Sequence, residues 1–141
     1  MARQAPEGGR RAARRQAVFL LYQHDVTGIG FEDLERNAER DGTPIDPFAR
    51  GLMEGVAADP AYLDELITGA AQGWTADRLA PLERNILRVA IHEILDWPDI
   101  PTAVSINEAV DLAKRYCQTE APGLVNGILG RIVTDHSEVV P

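Results

Sequence analysis

The sequence predicts an all-α, single-domain compact bundle of about seven helices. Three observations point there. Apolar residues recur at three- and four-residue spacing along most of the chain. No strand-like pattern is longer than four residues, and there is no internal repeat. Asp-Pro start signals and glycine stop signals cut the chain into short helical segments. At 141 residues the chain has the size of one domain, enough to bury roughly 70% of the surface that it exposes when unfolded. Residues 1–9 are expected to form a flexible N-terminal segment, 10–133 the helical domain, and 134–141 a flexible tail.

The first helix is expected from Arg10 or Arg11 to Val26, with Gly28 as its stop. Ala13, Ala17, Leu20, Leu21 and His24 fall on a core-facing stripe. Arg10, Arg11, Arg14 and Arg15 fall on an adjoining face, which Val18 and Tyr22 continue. Four guanidiniums and an aromatic ring on one anchored surface are suited to binding a phosphate backbone and stacking an unpaired base. The charge distribution sharpens the point. Residues 1–15 hold five arginines and one acid, a balance of +4; the chain carries −8, so residues 16–141 carry −12. A basic patch on an acidic body makes a local polyanion site and repels polyanions elsewhere. A solvated, disordered Arg-rich tail is the plainer alternative, but these arginines overlap the helical periodicity instead of preceding it. A transit peptide fits poorly because the stretch lacks serine and merges with a core-facing helix.

A short amphipathic helix is expected over 31–41, ended by Gly42-Thr43-Pro44. Asp46-Pro47 reads as a cap and first helical residue, launching Phe48, Leu52, Met53 and Val56 inward. Asp59-Pro60 repeats the signal ahead of Leu63, Leu66, Ile67 and Ala70, and Gly73 closes that helix. A turn from Trp74 to Leu79 leads to Pro81 and the most apolar helix, about 82–97. Its polar edge is confined to Arg84, Arg88, His92 and Asp96, so it belongs in the middle of the bundle. Prolines make Trp97 to Pro101 an extended connector. The sixth helix is expected over 103–116, with Val104, Ile106, Ala109, Val110 and Ala113 inward. The seventh is expected over 122–133, with Leu124, Val125, Ile128, Leu129 and Ile132 inward. Residues from His136 onward are expected to fray.

Chemistry-bearing motifs are scarce. Cys117 is the single cysteine and has no disulfide partner, which suits a reducing cytoplasm. His24, His92 and His136 lack metal-ligand spacing, and His92-Glu93 fails as a zinc-protease motif because residue 96 is Asp. The glycine pairs at 28/30 and 127/130 follow no strand and precede no Gly-Lys-Ser/Thr. Cys117 reads as a packed small hydrophobe, and Asp64/Glu65 as a solvated helix face. No apolar run approaches a membrane span, and no secretory signal is expected. A binding protein without catalytic residues, metal or cofactor is the better reading.

Leu82-Glu83-Arg84-Asn85-Ile86-Leu87-Arg88-Val89-Ala90-Ile91-His92-Glu93-Ile94 resembles the central helix of the NusB family. Ile106-Asn107-Glu108-Ala109-Val110-Asp111-Leu112-Ala113-Lys114 resembles that family's penultimate helix, and Val125-Asn126-Gly127-Ile128-Leu129 its final helix. The Arg10–Tyr22 stretch resembles its basic first helix, and Ala58-Asp59-Pro60-Ala61-Tyr62-Leu63-Asp64 its middle. The resemblance covers roughly 10–133, with its motifs in the family's order.

The resemblance implies a cytoplasmic transcription antitermination factor. Such a protein pairs with the ribosomal protein NusE, binds single-stranded boxA-like RNA and joins an RNA polymerase antitermination complex. It implies RNA contacts at Arg10, Arg11 and Arg14, with Arg15 at a more variable position. Four phosphate contacts would give a salt slope of about −3, at about −0.7 each. Tyr22 either stacks a base, meets NusE, or is a half-buried structural tyrosine. Glu83 projects onto an apolar arc with Ala90 and Ile94. It is either an acid favoured in a first helical turn or, by the resemblance, a contact to NusE. Asn107 and Glu108 are read as helix-start structure, Asp111 and Lys114 as a surface pair, and Asn126-Gly127 as a packing device. Gly123 and Leu124 depart from a basic residue and phenylalanine common in the family, which weakens that half of the RNA surface. NusB-like domains also occur fused to RNA cytosine methyltransferases; at 141 residues the free-standing factor is expected. A homodimeric or ribosome-associated interaction module with weak RNA binding is the alternative, and an RNA-modifying enzyme subunit a third.

Overall fold

The computed structural model describes residues 9–137 and residue 140. Among these are seven α-helices, one 3-10 turn and no strand. The helices are α1 (Gly9–Thr27), α2 (Phe31–Arg40), α3 (Pro47–Ala58), α4 (Pro60–Ala70), α5 (Pro81–Asp96), α6 (Thr102–Tyr116) and α7 (Ala121–Asp135). The 3-10 turn, Ala76–Arg78, lies between α4 and α5. Apart from Gly9, where α1 begins, the expected N-terminal segment lies outside the described residues. So do residues 138, 139 and 141 of the expected tail.

Local chemistry sets the helix starts and the end of α1 close to where the sequence places them, whereas α4 stops at Ala70, short of Gly73, and α7 continues past 133 to Asp135. The Asp46 carboxylate accepts a bond from the Phe48 N–H at 2.8 Å, and Asp59 from the Tyr62 N–H at 3.2 Å. Each cap is worth about 1 kcal/mol, and each is followed by proline at a position where no N–H is needed. Gly28 takes φ +77° and gives its N–H to the His24 carbonyl at 2.9 Å, ending α1.

The apolar α5 is the hub, packing against α1, α3, α4, α6 and α7. Ile86, Leu87, Val89, Ala90, Ile91 and Ile94 are buried along it. Its polar edge is also occupied. Arg84 and Arg88 converge on Asp25 of α1, the shortest contact being 2.7 Å from Arg84 Nη2. The Asn85 amide donates to the same carboxylate at 3.0 Å. Arg88 also grips Asp64 of α4 at 2.7 and 2.8 Å, so Asp64 is not a purely solvated acid as expected. Gln16 of α1 ties down the α2–α3 connector: its carbonyl accepts from the Asp46 N–H at 2.8 Å, and its amide donates to the Pro44 carbonyl at 3.1 Å.

Several helices are rotated relative to their expected faces. In α1 the buried stripe is Ala13, Arg14, Ala17, Val18 and Leu21, while Leu20 and His24 are half-buried. In α6, Ser105, Ala109, Leu112 and Ala113 are buried, and Val104 is exposed. Ser105 turns inward because a buried carboxylate awaits its hydroxyl, described below. Asn126 and Gly127 are exposed, so they are not the packing device expected. Asp111 pairs with Arg115 at 3.1 Å, one helical turn on, and not with Lys114.

Beside α5 runs an aromatic column. Phe48 meets Trp97 edge-on, with ring centroids 5.0 Å apart. The Trp97 indole N–H donates to His92 Nε2 at 3.3 Å, and His92 Nδ1 lies 2.9 Å from Asp96. Gly55 of α3 faces this histidine, and a Cβ there would lie 1.9 Å from Nε2. Gly55→Ala must displace a ring held from both sides. It is expected to cost about 1–3 kcal/mol, as overpacking does, in chemical denaturation followed by circular dichroism.

Candidate nucleic-acid and partner interface

The four arginines of α1 have four different fates. Arg14 is buried, 6% exposed, against Glu93 of α5, which is 1% exposed. Arg14 Nη2 meets Oε1 at 2.6 Å and Nε meets Oε2 at 2.8 Å, a two-point fork. The Ser105 hydroxyl donates to the same carboxylate at 2.8 Å. This corrects the expectation that Arg14 belongs to the exposed basic face: its guanidinium is inside the protein. The signal was present in the sequence. Residue 14 precedes Ala17 and Val18 by three and four positions, and Glu93 follows Val89 and Ala90 likewise, so both charges lie on apolar stripes.

Arg10 is exposed at the N-terminal end of α1. Its guanidinium carbon lies 4.8 Å from the centre of the Phe48 ring, and Nη2 is 3.7 Å from Asp99. Arg11 is exposed and joined to Glu108 of α6, Nε to Oε2 at 3.1 Å and Nη2 to Oε1 at 3.3 Å. That hydrogen bond and charge, with the charge of Asp111, hold the Arg11 guanidinium protonated beyond its ordinary range. Glu108 is therefore an inter-helix partner and not merely a helix-start residue. Arg15 is half-buried and makes no ion pair among the described residues. Tyr22, also half-buried, follows Arg11 and Arg15 at helical spacing.

Side chains of α1 and α6 meet at two places on this surface. Arg11 meets Glu108 at one end. Eight residues further along both helices, about 12 Å at 1.5 Å per residue, Phe19 meets Tyr116 edge-on at 4.9 Å. Tyr116 is 43% exposed. Its exposed ring next to the arginine face was missed in the sequence, where it read only as the end of a helix.

Glu83 lies by the loop after α6, where Cys117 and Glu120 sit. It is half-buried and forms no ion pair among the described residues. Burial, then the charge of Glu120, pushes its carboxyl above the ordinary range. Burial, then the charge of Glu83, raises the Cys117 thiol to about 11, keeping it protonated at neutral pH. The two neighbouring acids, Glu83 and Glu120, make a negative spot that favours an incoming cation. Among the described residues no group of three or more His, Cys, Asp or Glu is placed to hold a metal ion. No described helix is long and apolar enough to cross a membrane.

The class defined by this geometry is an all-helical binding domain with an arginine-bearing first helix alongside an acidic spot. The chain belongs to the NusB family, whose model matches residues 11–134. It is similar to NusB of T. maritima, with 34% identity, a TM-score of 0.80, and coverage of 95% of this chain and 94% of that one. It is also similar to a chain in the crystal structure of the antitermination factors NusB and NusE with double-stranded RNA. There the identity is 26%, the TM-score 0.79 and the coverage 90% and 97%. The solution structure of NusB from Aquifex aeolicus matches at 27% identity and a TM-score of 0.75, covering 92% and 90%.

Removing one member of a buried charge pair strands the other. Arg14→Ala is expected to destabilise the protein by about 3–5 kcal/mol, and Arg15→Ala by no more than about 0.5 kcal/mol, in parallel urea titrations. Because the Glu83 pKa is raised in the folded state, folding binds a proton there, so stability falls as pH rises through that range. Glu83→Gln is expected to stabilise the free protein at pH 7, with the gain vanishing below the ordinary glutamate pKa. Thermal melts across pH 3.5–7.5 check this.

Proposed function

We propose that this protein is a transcription antitermination factor that binds boxA-like single-stranded RNA together with NusE and promotes read-through by RNA polymerase. It acts in the cytoplasm by binding, with no catalytic step. The observation that carries the reading is the division of labour on α1. Arg14 anchors the helix while Arg11, Arg15 and Tyr22 lie on one accessible side. Arg10 extends the site over Phe48. Similarity to a chain from a complex of NusB and NusE with double-stranded RNA supports both kinds of partner, NusE and RNA.

In this reading Arg10, Arg11 and Arg15 take phosphates and Tyr22 stacks a base or meets NusE. Stacking of that kind contributes about 1–3 kcal/mol per base. Glu83 receives a cationic side chain of NusE, which relieves the repulsion from Glu120. The acidic remainder of the chain repels RNA elsewhere. With Arg14 withdrawn, three phosphate contacts remain, and the salt slope should be about −2.

The test is a salt series of binding to a short boxA-like RNA, with and without NusE. NusE should raise affinity, and Arg11→Ala with Arg15→Ala should lower it at least tenfold. Glu83→Arg should abolish the effect of NusE while leaving RNA binding alone intact. NusE binding without any RNA effect would favour an interaction module. A concentration-dependent dimer that excludes RNA would favour the homodimeric alternative.

A further inference from the structure

The exposed arginines of this surface are not bare cations. Arg11 carries Glu108, with Asp111 one turn further along α6, and Arg10 carries Asp99. We infer that Glu108 is an internal competitor for RNA phosphate, holding the fork of Arg11 until a phosphate oxygen replaces it. This rests on the RNA-binding reading above and sets how tightly that site binds.

The geometry argues for exchange. The carboxylate lies along the Nε–Nη2 edge of Arg11, with contacts of 3.1 and 3.3 Å. Two parallel N–H donors on a planar edge suit a carboxylate and a phosphate equally, so the two anions compete for one fork. The side chains differ in freedom. Glu108 is 17% exposed and set in α6, while Arg11 is 56% exposed on a long, mobile stem. The arginine can swing outward; the acid stays. Exposed pairs of this kind are weak enough to exchange. Electrostatics act in the same direction. An approaching phosphate meets a neutral pair, so its attraction to Arg11 is largely cancelled until the pair opens. Asp111 is itself occupied by Arg115 at 3.1 Å, which leaves Glu108 as the acid facing Arg11 directly.

Glu108→Gln keeps the size and a hydrogen-bonding amide but removes the competing charge. It is expected to tighten binding of a boxA-like single-stranded RNA about three- to tenfold at moderate salt. Arg11→Ala should abolish that gain, so that Arg11→Ala/Glu108→Gln binds no better than Arg11→Ala. In the wild type, RNA should move the Glu108 carboxyl carbon resonance toward that of a solvated glutamate. Wild-type RNA binding with an unchanged or weakened Glu108→Gln overturns the competition and leaves the RNA-binding reading standing. So does a Glu108 resonance that does not move at saturation. RNA binding by the variant alone supports competition in its strongest form. Binding by neither protein removes both the competition and the reading beneath it.

Discussion

The structure depends on the buried fork between Arg14 and Glu93. Each charge would be costly inside the bundle without the other. Together with the Ser105 hydroxyl they satisfy one another and join α1, α5 and α6 at one point. The constraint is rotational. Turning α1 by one position would carry Arg14 away from Glu93 and leave a carboxylate stranded at 1% exposure. The pair therefore fixes which side of α1 faces water. That side carries Arg11, Arg15 and Tyr22.

Around this point the other polar contacts act as guides more than as sources of stability. The Asp25 knot holds the C-terminal part of α1 against the start of α5, and Gln16 holds the α2–α3 connector against its middle. The aromatic column supports the N-terminal end, where Arg10 lies over Phe48 and Arg14 also approaches the ring, at 5.5 Å. The apolar core supplies the bulk of the folding free energy, as burial generally does. The polar contacts choose one arrangement of helices among those that would bury similar area. A first helix held along its whole length presents its exposed side chains without having to order the backbone on binding, which lowers the entropic cost of recognition.

The acids near the arginines belong to the same design. A protein with a net charge of −8 and a basic first helix places opposite charges close together. Some of the resulting pairs are structural and permanent, as Arg14 with Glu93 is at 2.6 Å in the interior. Others lie at the surface, as Arg11 with Glu108 does, and remain open to exchange. Depth of burial, and not the identity of the residues, separates the two.

The sequence by itself determined the helices: their number, their order and, to within about a residue, their starts. Caps, prolines and glycines act within three or four residues, so Asp46, Asp59, Pro81 and Gly28 could be read directly. It also determined which helix is central, because α5 is apolar around most of its circumference. What only the tertiary structure decided was the rotation of each helix and the pairing of its charges. Arg14 finds its acid 79 residues away and Arg11 finds its own 97 residues away. Asn126 and Gly127, legible as a motif, point outward because the face of α7 is set by its packing on α4, α5 and α6. A local pattern constrains a helix to have an apolar side, but with a weakly amphipathic segment such as α1 it leaves the angle of that side loose. The distant partner that each charge must meet then sets it.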